Sequence, residues 1–141
     1  MNDDFLVDLL ESVWRSTIRL CSDLTTSDWK KTTDCPGWSV QDNLSHLVGI
    51  EHRLLNRPVP HHKLADTDHV KNDLGIRNEI DVDLRRHKSG PDVLAEFRLL
   101  TEERLSMISN LNKDDYDKEV DTPIGPGKLR DLLNIRIVDC W

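Results

Sequence analysis

Six histidines, three cysteines and one glutamate set among apolar residues are the groups in this 141-residue chain whose types and places could do chemistry. A zinc-type site gathers three or four nitrogen, oxygen or sulfur ligands at roughly 2.0–2.3 Å, and a catalytic one keeps a position open for water or substrate. His46 is the leading candidate, because it falls inside an amphipathic segment where facing helices could bring it partners. A lone histidine at a helix seam is nonetheless more often a hydrogen-bonded core-edge residue than a ligand. His61 and His62 are adjacent in a proline-marked connection, where histidines are more often solvated than metal-bound, and His69 follows a few residues later. Cys21, Cys35 and Cys140 form neither an even disulfide framework nor a close zinc-ribbon pair, so free thiols are expected. Cys35 has two readings: a small buried filler at a tight turn, or a reactive thiol near a helix start, where the helix dipole would favour the thiolate.

The element that must position His46 begins in DCPGWSVQDNLSHLVGIE, residues 34–51. Pro36 and Gly37 punctuate the approach, Ser39 caps the free amides, and Asp42 three residues on completes a capping box. The spacing predicts a helix from Ser39 to Asn56, stopped by Pro58 and Pro60. At about 100° per residue, Val40, Leu44, Leu47, Val48, Leu54 and Leu55 form one apolar stripe with Ile50 at its margin. His46 sits roughly 120° from the centre of that stripe, at the seam with a neighbouring helix. Glu51 falls near the middle of the stripe, where a carboxylate needs a partner or water to avoid a desolvation cost of several kcal/mol.

Other helices are expected around it. Asp3 to Leu24 repeats apolar residues at helical spacing, with Asn2 or Asp3 as cap and Trp14 at the margin, and Thr25 to Gly37 reads as a turn-rich loop. His69 to Lys88 gives a broken stripe, so a bent or short helix is expected there. Ser89, Gly90 and Pro91 open a long helix to Leu111, with Val93, Leu94, Phe97, Leu100, Met107, Ile108 and Leu111 as its apolar stripe, and with Arg104 placed to snorkel. Asn112 to Gly127 is read as a long surface connection. A final helix begins near Lys128, with Leu129, Leu132, Leu133, Arg136, Ile137 and Cys140 on one face. It lacks a C-cap glycine, a terminal proline or a polar tail, so it reads as cut in its middle, and the apolar surface left there favours self-association, possible as a homodimer. The expected fold is an all-α antiparallel bundle in one domain, residues 1–141.

Lys and Arg total 19 against 26 Asp and Glu, a formal charge of −7, which argues against a nucleic-acid surface or a basic membrane patch. No run is long enough to span a bilayer, and the acidic start is unlike a secretory signal, so the cytoplasm is the expected location. The expected partner is a small molecule.

The strings TDCPGWSVQDNLSHLVGIEHRLLNRPVP, HVKNDLGIRNEIDVDLRRHKSGPDVLAEF and TPIGPGKLRDLLNIRIVDCW together resemble the N-terminal domain of the mycothiol-dependent maleylpyruvate isomerase family. That family lies within the DinB-like superfamily of metal-binding four-helix bundles. The resemblance implies a DinB-like four-helix bundle with an additional variable helix, a divalent metal such as zinc, mycothiol as thiol cosubstrate, and a separate C-terminal domain. It also implies a metal ligand from the second main helix, matched by His46, and an acidic ligand on the last helix, matched by Asp139. A second histidine would follow the acidic residue by four positions, just beyond Trp141. Asp139 is shorter than the glutamate usual at that place in the founding isomerase. Three readings follow: a mycothiol-dependent isomerase or thiol transferase, a metal- or ligand-binding bundle without turnover, and a structural or interaction domain.

Overall fold

The computed structural model describes residues 3–68 and 70–141; the alternative cap Asn2 and His69 lie outside them. Asp3–Ser22 forms α1, and a short α2, Thr26–Trp29, follows at once. The loop expected from Thr25 to Gly37 is corrected at this point. Thr25 and Asp28 exchange hydrogen bonds as a capping box, and Trp29 is buried against Gly90, where a Cβ would lie 2.2 Å from the indole. Only glycine lets the indole pack so close to the start of the long helix.

The central helix α3, Val40–Leu54, starts from Ser39, whose side chain accepts from Asp42 N while Asp42 accepts from Ser39 N. It stops two residues before the expected Asn56, which takes a left-handed φ of 54°, a conformation asparagine tolerates better than most residues. α4 runs Asp73–Asp83 from an Asn72 cap, shorter than the expected segment. α5 spans Gly90–Ser109 from a Ser89 cap with proline in its first turn. The connection after it is not featureless. Asn112 caps a 3-10 turn at Lys113–Asp117, and β1 (Glu119–Thr122) pairs antiparallel with β2 (Gly125–Lys128). Pro123 and Ile124 make the two-residue turn, Gly125 adopts φ 112°, and the Thr122 hydroxyl donates to Gly125 O at 2.6 Å. Read as loop punctuation, TPIGPG is turn chemistry that closes a hairpin. α6, Leu129–Cys140, leaves directly from the second strand.

α1 packs on α5 and α6, while α3 packs on α5 and α4. The α3 and α6 backbones approach each other less closely than these neighbours, which leaves a gap at one side of the bundle. The core joins Leu6, Leu10, Val48, Val93, Phe97 and Leu133, each worth about 1.5–3 kcal/mol when buried. Trp14, expected at the margin, belongs to this core. Leu20 and Met107 are exposed, because Cys21 and Ile108 beside them take the inward positions and adjacent helical residues point about 100° apart. The mostly helical bundle with one small hairpin agrees with the expected fold class. No helix among the described residues is long and apolar enough to cross a membrane.

Candidate metal and ligand site

Glu51 is the residue the sequence marks as out of place, and its environment explains it. Its Oε2 accepts from Arg104 Nε at 2.9 Å and its Oε1 from Arg136 Nε at 2.8 Å, with Glu51 at 0%, Arg136 at 1% and Arg104 at 3% exposure. Arg104 therefore does not snorkel; a buried carboxylate holds it inside. Arg136 also donates through Nη1 to Asp139 three residues on. The chain of charges Arg104, Glu51, Arg136, Asp139 joins α5, α3 and α6, and it bridges the gap that the backbones leave.

His46 lies along that gap, seven residues beyond the Ser39 cap. Its ring centroid is 5.3 Å from that of Trp38, tilted by 40°, and Trp38 is fixed from α4 because its indole donates to Glu79 Oε2 at 2.8 Å. His46 Nδ1 is buried without a hydrogen-bond partner among the described residues. Burial holds the imidazole below its ordinary pKa; nearby Arg136 and Arg53 push the same way, against Asp139. The ring is thus neutral near pH 7, the form that ligates metals.

A cavity of about 300 Å³ opens beside it, with His46, Arg53, Arg77, Asp121, Arg136 and Asp139 on its walls. Ile50, Leu74 and Ile135 supply apolar lining, and Thr122 and Pro123 bring the hairpin to its edge. Arg53 is tied to Asp81 at 3.0 Å and to Arg77 O at 2.9 Å. Asp81 is itself buried, and desolvation raises its pKa to about 6 despite Arg53.

The two residues expected to hold a metal, His46 and Asp139, line the same cavity. The unpartnered buried nitrogen of His46 fits a ligand. Asp139 fits less well, being held by Arg136, and no group of three His, Cys, Asp or Glu suited to a metal ion is gathered among the described residues. The residues form a half-site. Cys140 is no remedy: burial pushes its thiol up to about 11, which keeps it protonated. Cys35 is exposed, so the buried-filler reading of it is wrong. His62, expected to be solvated, has its Nε2 2.6 Å from Asp83 Oδ2 and so fastens the connection onto α4. The arginines of the cavity were not foreseen as site residues. Arg136 carried a signal, since a basic residue in one apolar stripe and an acid in another can satisfy each other.

The family model described as mycothiol maleylpyruvate isomerase N-terminal domain matches residues 10–141. No curated protein matches. Among solved structures, the chain is similar to the mycothiol-dependent maleylpyruvate isomerase at TM-score 0.73 and 12% identity, covering 100% of this chain but only 58% of that one. It is also similar to an uncharacterized protein from Clostridium difficile 630, at TM-score 0.70 and 13% identity over 99% of this chain and 90% of that chain. A third likeness is to the colibactin self-resistance protein ClbS, solved in complex with a double-stranded DNA, at TM-score 0.66 and 10% identity over 98% and 88% of the two chains. At these identities the structures speak to the fold.

Proposed function

Because the chain belongs to the mycothiol maleylpyruvate isomerase N-terminal domain family, we propose that residues 1–141 form one domain serving mycothiol-dependent chemistry on a small substrate. The observation that carries this reading is the neutral, buried and unpartnered His46 nitrogen beside an open cavity shared with Asp139. His46 and Asp139 would hold a divalent cation, zinc by donor type, with water, thiol or further donors completing the set. A cation bound there lowers the pKa of a thiol beside it and so favours the nucleophilic thiolate.

The chain's own residues do the positioning. Trp38 fixes the imidazole plane, Arg136 orients the Asp139 carboxylate, and the apolar lining from Ile50, Leu74 and Ile135 limits water around the reacting groups. Addition of mycothiol to a conjugated substrate, with rotation and thiol release, is the isomerase form of this chemistry; thiol transfer is the other. A second reading, binding without turnover, draws support from the ion-paired state of Asp139. The charge of −7 is the ground for proposing no nucleic-acid partner.

A zinc competition titration on the chain and on His46→Ala, followed by a mycothiol-consumption assay with maleylpyruvate, tests the proposal. Weak zinc binding by the chain, lost in His46→Ala, is the expected result. Equal binding by both would place the metal elsewhere.

A further inference from the structure

Trp38 meets His46 through its ring and α4 through its nitrogen, so whatever holds the indole also holds the imidazole. The Trp38 main chain is pinned within its own loop. Its N–H donates to Cys35 O at 3.1 Å, and its carbonyl accepts from Thr33 N at 3.3 Å and from the Thr33 hydroxyl at 2.9 Å. Those bonds leave the side-chain torsions unset. The indole N–H sets them by donating to Glu79 Oε2 at 2.8 Å, and Glu79 is only 5% exposed.

Glu79 is held in turn. Its Oε1 lies 2.9 Å from Arg86 Nη2, and the same guanidinium reaches Asp83 at 2.9 Å and Asp42 at 3.5 Å. Asp42 belongs to the Ser39 capping box. The contacts therefore leave the start of α3, run through Arg86, Glu79 and Trp38, and return to α3 at His46. A carboxylate nearly out of water, with an N–H donor on each oxygen, is fixed in orientation and passes that orientation to the indole. His46 needs such support. Its Nδ1 has no hydrogen-bond partner among the described residues, so on that side no carboxylate or carbonyl orients the ring, as one commonly does for a metal-binding histidine. The Trp38 ring, 5.3 Å away between centroids, stands there instead.

We propose that Glu79 is a positioning residue for His46, acting through Trp38 and steadied by Arg86. For zinc affinity the inference rests on the functional reading of His46 given above; for the orientation of the ring it does not. Glu79 is also a residue that can be tested, because its loss leaves Arg86 with Asp83 and Asp42 and strands no guanidinium.

The experiment follows the His46 ring signals and the Trp38 indole proton by NMR in the isotope-labelled chain with a chelator present, and then measures zinc affinity without it. The variants are Glu79→Leu, Glu79→Gln and Trp38→Phe, with each Glu79 change also placed on Trp38→Phe. In the unsubstituted chain the indole proton should exchange slowly with solvent. Glu79→Leu should shift the His46 signals and weaken zinc binding about tenfold. Glu79→Gln keeps an oxygen for the indole and should change both less. On Trp38→Phe neither Glu79 change should move His46 further, because the path is already cut; a general loss of packing would shift His46 in both backgrounds. Fast exchange of the indole proton, unmoved His46 signals in Glu79→Leu, or an equal shift on Trp38→Phe each overturns the proposal. If the leucine variant does not fold, the indole exchange and the glutamine pair decide. Because the ring signals are read with metal removed, a chain that binds no zinc refutes the metal reading and leaves the positioning result intact.

Discussion

Arg136 Nε stands 2.8 Å from Glu51 Oε1 across 85 residues of sequence. The bond ties α6 to α3 where the helix backbones leave a gap, and it shares its carboxylate with Arg104. Removing the carboxylate would strand two buried guanidiniums. Glu51→Ala should therefore lose about 3–5 kcal/mol of stability, read by urea denaturation. Replacing all three charged residues together, as Glu51→Leu, Arg104→Met and Arg136→Met, should recover most of that loss. A fall below about 1 kcal/mol in the single variant would mean that the cluster is solvated.

Asp81 sets a pH dependence of its own. Its carboxyl is held at about 6 by burial, against 3.8 as the ordinary value, so the native state binds the proton more tightly than the unfolded chain. Stability is then greatest below the unfolded pKa and declines as pH rises through the folded one, by on the order of 2–3 kcal/mol. Asp81→Asn should abolish this decline and raise stability at neutral pH. Parallel pH–stability curves for the two proteins would show that Asp81 is not the source.

Gly49 faces the same carboxylate. A Cβ there would lie 2.3 Å from Asp81 Cγ, too close for side chains packed between α3 and α4. Gly49→Ala should cost about 1–3 kcal/mol by overpacking, and the cost should shrink in an Asp81→Ala background. Additive losses in a double-mutant cycle would contradict the contact.

The three thiols should react unequally. Cys35 is exposed, Cys21 is buried with its pKa raised by desolvation, and Cys140 is pushed up to about 11. Mass spectrometry after brief alkylation at about pH 8 should find one label, on Cys35, and three after unfolding. Early labelling of Cys140 would mean that α6 opens readily.

The helices were legible wherever caps and apolar spacing agreed, as at Ser39 with Asp42 and at Ser89 with Pro91. The short elements were not. α2 and each strand of the hairpin are four-residue pieces whose local signals, Thr25 with Asp28 and Thr122 through Gly125, look the same as ordinary turns until the rest of the fold holds them. Glu51 announced a need for a partner, but periodicity on one helix has no means of naming a residue on another. His46 was placed at a seam by its angle alone, and the structure puts it beside the gap between α3 and α6. The cationic wall is not legible in the sequence because Arg53, Arg77 and Arg136 are far apart along the chain and individually resemble surface charges.

The charge chain also has a bearing on the order of assembly during synthesis. At about 5–20 residues per second, the 85 residues between Glu51 and Arg136 take roughly 4–17 s to make. Throughout that interval the emerging α3 carries a carboxylate that no later fold position can yet neutralise from α6. Water serves it until α5 brings Arg104, 53 residues on, and its other oxygen stays with water until α6 is made. Full burial of Glu51, which is 0% exposed, therefore has both of its guanidinium partners only after α6 has been made.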